Sequence, residues 1–180
     1  MIEVEAKIKI KNPKEFIKTI SKLAKFQGKE KKIDDYYTLE STKSYPEKSL
    51  RIRKYSNHHK VNFKKSFPYE SNVHAKDEIE FKVSDIDNFL KLISDFGFKL
   101  WLRKEKVTHL YNVKPNFNIE VNEVKGLGWF LEFEYLVEKQ RHIKKARSEI
   151  LRIMSLFDFK SKDIVKSGYT KLLWNKTHKN

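Results

Sequence analysis

The sequence contains no cysteine, only five glycines and four prolines, and no long apolar run. Without cysteine the chain can form neither a disulfide framework nor a thiolate zinc site, and it has no cysteine nucleophile. No apolar segment approaches the roughly 20 residues needed to cross a bilayer. The first residues also show no signal-peptide core, so we expect a soluble, cytoplasmic protein.

Several catalytic motifs are absent as well. The sequence has neither of the common glycine-rich phosphate loops and no serine in the strand–serine–helix elbow of many hydrolases. The six histidines show no metal-ligand spacing, and the adjacent His58 and His59 are more typical of a loop. Any catalysis must therefore depend on carboxylates, basic side chains and, where one binds, a metal ion.

The composition is basic but compatible with a folded domain. The 180 residues include 39 Lys and Arg against 24 Asp and Glu, a formal net charge of +15, and they are 39% hydrophobic with 13 Phe and 8 Tyr. This length and apolar content predict a single domain spanning 1–180. Only six of the basic residues are arginine, and many of the lysines are expected simply to solvate the surface. The remaining positive charge favours a polyanionic partner: nucleic acid, a membrane surface or a compound with several phosphates.

The hydrophobic pattern predicts an α+β fold. Residues 2–10 alternate strictly between apolar and charged side chains, as in a strand with one buried face, and Asn12 with Pro13 is a helix start signal. The same strand-then-helix unit recurs from Glu78, with Ser84 as the expected N-cap, and again from Leu131. Further β-type runs lie at 49–55, 60–65, 100–111 and 117–124. The order indicates an antiparallel sheet of roughly eight strands with three or four helices.

The polar faces of these strands carry almost only charged residues. If helices cover the apolar faces, the polar faces either lie open to water or are enclosed in a closed sheet. Carboxylates two residues apart on a strand converge and suit Mg²⁺ or Mn²⁺, and paired arginines such as Arg51 and Arg53 can grip phosphate. Cross-strand ion pairs between the acids and the lysines, or between the arginines and Glu78 and Glu80, are the structural alternative.

An ordered set of motifs resembles the CYTH superfamily, which includes class IV adenylyl cyclases, thiamine triphosphatases and other triphosphate tunnel metalloenzymes. The motifs are Glu3-x-Glu5-x-Lys7, Leu50-Arg51-x-Arg53, Phe63-Lys64, Glu78-x-Glu80, Gly126-Leu127-Gly128-x-Phe130-x-Glu132-x-Glu134 and Ser167-Gly168-Tyr169. The resemblance covers nearly the whole chain. It implies a closed, eight-stranded antiparallel β-barrel with helices packed outside and a lumen that binds a triphosphate.

The resemblance also implies roles for individual residues. The expected ligands for Mg²⁺ or Mn²⁺ are Glu3, Glu5, Glu132 and Glu134, with Glu78, Glu80 and Asn122 as further candidates. The expected triphosphate-binding residues are Lys7, Arg51, Arg53, Lys64 and Lys106, and those expected to be catalytic are Glu5, Lys7, Arg51 and Arg53.

The chain departs from the family pattern at three places. Asn122 stands where the family usually has an aspartate, and an amide oxygen attracts a divalent cation less strongly than a carboxylate, which disfavours a second metal site. Lys76 and the run from Lys104 to Lys106 replace arginine-containing patterns. Lysine keeps the charge but loses the two-pronged grip on phosphate.

The predicted function is therefore a divalent-metal-dependent, CyaB-like enzyme acting on a nucleoside, thiamine or inorganic triphosphate. It would either hydrolyse the triphosphate or convert ATP into cyclic AMP and pyrophosphate. The expected partner is a small molecule rather than nucleic acid or a membrane, and the protein is expected to be a monomer or homodimer. The alternative is a non-catalytic module that binds RNA or polyphosphate.

Overall fold

The computed structural model describes residues 1–55, 58–66 and 73–178, and at 64–66 and 77 it describes the backbone alone. The strands are Ile2–Ile10 (β1), Lys25–Thr38 (β2), Leu50–Lys54 (β3), His59–Ser66 (β4), His74–Val83 (β5), Lys99–Lys114 (β6), Phe117–Val124 (β7) and Gly128–Val137 (β8). The α-helices are Pro13–Leu23 (α1), Ile86–Asp95 (α2), Ile143–Ser155 (α3) and Tyr169–Thr177 (α4).

The eight strands form a closed antiparallel barrel in the order β1-β5-β4-β3-β2-β6-β7-β8. Strand β8 returns to pair with β1 along nine residues, from Ile2 opposite Val137 to Ile10 opposite Trp129. The predicted α+β class and eight-stranded barrel are therefore confirmed. The alternative in which the polar strand faces lie open to water is wrong, because closure turns those faces into a lumen.

The hydrophobic core lies outside the barrel, between the strands and the helices. The apolar face of β1, including Val4 and Ile8, is almost completely buried, as is Leu131 on β8. Helix α3 packs against β1 and β8 and contributes Ile150 and Met154 to the same cluster. The alternation of β1 thus places its apolar side chains under the helices and those of Glu3, Glu5 and Lys7 inside the barrel.

Helices α1 and α2 begin at side-chain caps. Asn12 accepts a hydrogen bond from the Lys14 backbone N–H and precedes Pro13, as the sequence predicts. At α2 the predicted cap, Ser84, is wrong by one residue. Asp85 is the N-cap, because the helix begins at Ile86 and the Asp85 carboxylate accepts from the Asn88 backbone N–H.

Two elements lack a clear signal in the sequence. Strand β2 pairs with β6 over most of its length, but polar residues occupy both of its faces in the exposed first half. A bulge at Gly28, with φ of +147°, interrupts the alternation further. Helix α4 has little amphipathic contrast and packs against the ends of β7 and β8 through Tyr169 and Leu172. Within the described ranges, no helix combines the length and apolarity that a membrane span needs.

Candidate functional site

The barrel contains a cavity of about 500 Å³, and more than half of its lining residues are charged, eight of them basic and eight acidic. The basic residues are Lys7, Lys32, Arg51, Arg53, Lys60, Lys76, Lys104 and Lys106, and the acidic ones are Glu3, Glu5, Glu47, Glu78, Glu80, Glu120, Glu132 and Glu134. Charges at this density, withdrawn from bulk water, are expected to be paired, and the contacts below show how.

Strand β1 supplies Glu3, Glu5 and Lys7, each less than a tenth exposed. Glu5 lies opposite Glu134 on β8, and Lys7 lies opposite Glu132 with its Nζ 3.4 Å from a carboxylate oxygen. The ammonium of Lys76 on β5 donates to Glu5. Burial lowers the pKa of Lys76, but the Glu5 and Glu3 carboxylates outweigh it and raise that pKa above its ordinary value. Lys76 therefore stays charged and covers the Glu5 carboxylate.

A second network spans β6, β7 and β8. Lys106 Nζ lies 2.7 Å from Glu120 and 3.2 Å from Glu132, and Lys32 adds a further contact of 3.0 Å to Glu120. Burial acts to raise the pKa of Glu120, but Lys106 and Lys32 lower it well below its ordinary value. Glu120 is thus ionised, and both carboxylates are ion-paired inside the barrel.

Asn122 completes this second network. Its amide nitrogen donates to Glu132 at 2.7 Å and Glu120 at 3.1 Å, and its amide oxygen accepts from the Thr108 hydroxyl at 2.7 Å. The side chain is completely buried. In this orientation, which the hydrogen-bond partners fix, the amide holds two carboxylates together and its oxygen faces Thr108.

The two arginines of β3 have different partners. Arg53 makes a two-pronged contact of 2.6 and 2.9 Å with Asp34, and Arg51 lies 3.0 Å from Glu78. Lys104 also reaches Asp34, at 2.8 Å. Burial raises the pKa of Asp34, but Lys104 and Arg53 more than reverse this, so the carboxylate remains ionised. Arg53 is therefore held by two hydrogen bonds to Asp34, whereas Arg51 contacts Glu78 through one guanidinium nitrogen.

The ammonium groups of three lysines lie close to the aromatic ring of Tyr169. The Nζ atoms of Lys7, Lys104 and Lys106 lie 4.1, 5.5 and 5.8 Å from the ring centroid. The Phe130 ring packs edge-on at 5.0 Å from the Tyr169 ring and helps to fix it. Burial, and then the neighbouring carboxylates, raise the pKa of the Tyr169 phenol well above its ordinary value. The ring thus presents a neutral face to three ammonium groups, a favourable cation–π arrangement.

Sequence reasoning missed several residues of this site, among them one acidic and two aromatic side chains. Asp34 and Tyr36 lie on β2, which was not recognised as a strand, and Tyr169 belonged to a motif without an assigned role. Lys104 Nζ donates to the Tyr36 hydroxyl at 3.1 Å. Burial raises the pKa of Tyr36, but the nearby Lys104 and Arg51 give a net lowering. The adjacent carboxylates at 34 and 35, followed by two tyrosines, were the available signal.

The barrel brings nearly all the sequence-predicted residues together. The predicted residues that line the cavity are Glu3, Glu5, Lys7, Arg51, Arg53, Glu78, Glu80, Lys106, Glu132 and Glu134. Asn122 lies buried beside Glu120 and Glu132. Lys64 lies on β4 opposite Glu78, but its side chain is outside the described part of the structure. The functional roles of all these residues remain predictions.

The donor chemistry of the lumen suits a hard divalent cation. Glu5 and Glu134 are directly opposite on β1 and β8, and carboxylate oxygens are the ligands that Mg²⁺ and Mn²⁺ prefer. In the described residues, however, no three carboxylates or histidines are already gathered as a metal site. Instead, lysines form ion pairs with these carboxylates: Lys76 with Glu5, and Lys106 with Glu132. The residues present therefore match such a metal in type, but lysines form ion pairs with two of the four expected ligands, Glu5 and Glu132.

This chain matches a known domain family and is similar to known proteins in sequence and in structure. The CYTH domain profile matches residues 1–169. A Methanocaldococcus jannaschii protein that carries a provisional name as an adenylate cyclase is 26% identical over 96% of this chain and 98% of its own length. A solved structure from Pyrococcus horikoshii is 27% identical, covers 97% of this chain and 99% of that one, and superimposes with a TM-score of 0.79.

A more distant structure shares the fold alone. A Hippeastrum protein, described as a proposed adenylyl cyclase with a dominant triphosphatase activity, is 14% identical with a TM-score of 0.60. The alignment covers 97% of this chain and 95% of that protein.

Proposed function

Because this chain belongs to the CYTH domain family, we propose that its lumen binds the triphosphate of a small molecule and that the protein breaks one of the phosphoanhydride bonds. The observation that carries the proposal is the convergence of Lys7, Lys104 and Lys106 on one ring inside a closed barrel. Ammonium groups gathered in this way form a site for a compact, highly charged anion.

The charge balance of the lumen explains why the anion must be compact and multivalent. Each of the three lysines has a carboxylate close by, as in the contacts of Lys7 with Glu132 and of Lys104 with Asp34. A triphosphate carries about four negative charges and can compete for several of these ammonium groups at once. Arg51 lies on the same wall and can offer its guanidinium to a phosphate oxygen in place of Glu78.

We propose that a divalent metal joins the substrate at Glu3, Glu5, Glu132 and Glu134. When bound, the metal would neutralise phosphate charge and polarise the reacting phosphorus centre. Lys76, whose ammonium pairs with Glu5, would then be able to contact the phosphate instead. The Lys76 side chain is therefore expected to exchange a carboxylate partner for a phosphate partner.

The first candidate reaction is hydrolysis of the terminal phosphoanhydride. Water attacks the terminal phosphorus, the bond from that phosphorus to the bridging oxygen breaks, and inorganic phosphate leaves with a diphosphate. A lumen carboxylate takes the proton that the water loses. Lys7, Lys104 and Arg51 would stabilise the charge on the transferring group and on the leaving oxygen.

The second candidate is cyclisation of a nucleoside triphosphate. In that reaction the 3′-hydroxyl oxygen bonds to the α-phosphorus, the bond from the α-phosphorus to the bridging oxygen breaks, and pyrophosphate leaves. The provisional name of the Methanocaldococcus relative supports this candidate. Both reactions use the same cations, and they differ in which phosphorus lies next to the nucleophile.

A non-catalytic polyanion-binding module is the alternative from another class. Its weakness is the row of inward acids, such as Glu3, Glu5 and Glu134, which repel a polyanion when no metal is present. The basic residues of the lumen also lie in a cavity of about 500 Å³, which suits a short phosphate chain better than a folded RNA.

Product identification tests the proposal. The purified protein is incubated with Mg²⁺ or Mn²⁺ and, in parallel, with ATP, thiamine triphosphate or tripolyphosphate. Phosphate release indicates hydrolysis, and a cyclic nucleotide with pyrophosphate indicates cyclisation. Tight, metal-independent binding without turnover of any of the three would overturn the enzymatic proposal in favour of the binding module.

A further inference from the structure

Four aromatic side chains lie together beside the cavity, and two of them, Tyr36 and Tyr45, line it. Trp101, at the start of β6, lies 6.2 Å from the Tyr36 ring, 5.5 Å from the Tyr45 ring and 5.9 Å from the Trp174 ring. Tyr45 belongs to the 39–49 connection between β2 and β3, and Trp174 belongs to α4. Four separate parts of the chain thus build one cluster, which we call the aromatic cluster: Tyr36, Tyr45, Trp101 and Trp174.

The aromatic cluster opens onto the same cavity as the cations. Tyr36 and Tyr45 both line that cavity, and all four rings of the cluster are only partly buried. Tyr36 lies directly opposite Arg51 across the β2–β3 pair, so the cluster is adjacent to an arginine of the proposed triphosphate site. A molecule whose phosphates contact Arg51 and Lys104 would bring its non-phosphate end close to these rings.

Hydrogen bonds hold the rings in place without a ligand. The Tyr45 hydroxyl pairs with the Thr170 hydroxyl at 2.8 Å, and the Trp101 indole N–H donates to Ser49 at 3.1 Å. These bonds tie the 39–49 connection to α4 and to β6. These bonds restrain the rings, which lowers the conformational cost of binding a ligand against them.

We propose that the aromatic cluster is the binding subsite for the base of a nucleoside triphosphate. This inference rests on the proposed triphosphate site and adds the class of substrate. Nucleobases stack on aromatic side chains, and the carboxylate of Glu47 lines the same cavity as an acceptor for a base N–H. Inorganic triphosphate has no group that could use these rings.

The lysines beside the cluster favour a nucleoside triphosphate over thiamine triphosphate. Lys171 Nζ lies 4.2 Å from the Tyr45 ring centroid, and Lys104 Nζ lies 5.6 Å from the Tyr36 ring centroid. A cationic thiazolium ring in this position would meet like charge, whereas a neutral base would not. The subsite therefore favours a nucleotide over thiamine triphosphate.

Tryptophan fluorescence provides a direct readout, since two of the three tryptophans, Trp101 and Trp174, belong to the cluster. Stopped-flow mixing with ATP or tripolyphosphate follows binding before turnover. We expect ATP to quench the fluorescence and tripolyphosphate to leave it nearly unchanged. The W129F variant is the matched control, because Trp129 contacts the core outside the barrel, and it should quench as the wild type does.

Affinities of Tyr45 variants complete the test. Y45A should weaken ATP binding about tenfold and leave tripolyphosphate binding within about twofold, while Y45F, which keeps the ring, should retain the wild-type preference. Equal binding of ATP and tripolyphosphate to wild type and Y45A, with no quenching by ATP, would overturn the subsite alone. Failure of the wild type to bind either compound would instead overturn the triphosphate site and the subsite with it.

Discussion

The two faces of the barrel strands make opposite contributions to this protein. On β1, Val4 and Ile8 point outward into a dry core under the helices, while Glu5 and Lys7 point into a charged lumen. Outward burial of apolar surface stabilises the fold, whereas buried ion pairs add little net stability because desolvation offsets their attraction. The comparison shows that one alternating sequence can assign stability to one face and ligand binding to the other.

Loss of a lumen charge is expected to have the largest effect, and that effect falls on activity. R51A and E5Q should each reduce turnover at least about 100-fold, because a transition-state charge contact or a metal ligand is lost. Circular dichroism should show the folded barrel in both variants. The matched control is R103A, since Arg103 makes an equivalent two-pronged contact with Asp35 on a side chain that is half exposed. Wild-type rates in both lumen variants would refute the site.

Loss of an outward side chain should have the reverse outcome. L131A removes a completely buried side chain from the core and should lower the free energy of unfolding by about 2–5 kcal/mol. The folded fraction should still bind tripolyphosphate as the wild type does. Chemical denaturation followed by a binding titration checks both points, and a specific loss of affinity in the folded protein would contradict the division between the two faces.

Removal of Lys76 tests whether its ammonium group competes with a metal ion for Glu5. K76M takes away the ammonium that covers Glu5, so Mn²⁺ should bind about tenfold more tightly when no substrate is present, since the metal no longer competes with an ion pair. Titration calorimetry with Mn²⁺ measures this affinity. Weaker Mn²⁺ binding in K76M would show that Lys76 does not compete with a metal at Glu5.

The ring of Tyr169 can be tested apart from its hydroxyl group. Y169L removes the surface that three lysines share and should weaken tripolyphosphate binding about fivefold, whereas Y169F should bind nearly as the wild type does. F157L, a buried substitution in the outer core, controls for lost packing. Because Lys7 Nζ lies 4.1 Å from the ring centroid, the ring should shield the neighbouring methylene protons. An NMR spectrum of ¹³C-labelled lysine should therefore show an upfield signal that Y169L alone loses. An unchanged lysine spectrum in Y169L would exclude this role.

The smallest expected effect concerns an ion pair outside the barrel. Hydrogen bonds from Arg152 and then Lys114 lower the pKa of Glu149 on α3 to about 2, from a model-compound value of 4.5. The stabilisation is therefore fully present above about pH 4.5 and is lost as the pH falls towards about 2. E149Q should flatten this part of the stability–pH curve slightly and leave turnover at neutral pH unchanged. An E149Q curve as steep as that of the wild type would contradict the assignment.

The sequence predicted the parts of the fold that depend on local pattern. The alternation of residues 2–10, the Asn12 cap and the charged faces of the strands from Glu78 and Leu131 were all readable. The partnership of Asp34 with Arg53 was not, because it depends on the long pairing of β2 with β3 and β6. The convergence of Tyr169 on three lysines also required the closed barrel, since α4 follows its strand partners by more than 30 residues.

The candidate site was predictable in its residues but not in its internal contacts. The motif resemblance identified ten of the sixteen charged residues in the cavity wall, and the structure added contacts between them, such as that of Lys106 with Glu132. Asn122 illustrates the difference: the sequence suggested a weak metal ligand, and the structure shows an amide that bridges Glu120 and Glu132. Whether an amide donates or accepts depends on its neighbours in space, which a single sequence does not give.

Titration calorimetry with tripolyphosphate tests the central claim, that the lumen is a triphosphate site, most directly. In the presence of Mg²⁺ the wild type should bind one tripolyphosphate per chain, and R51A, in which one lumen guanidinium is lost, should bind it at least about tenfold more weakly. The R103A variant should match the wild type. No binding by the wild type, or equal binding by wild type and R51A, would contradict the account.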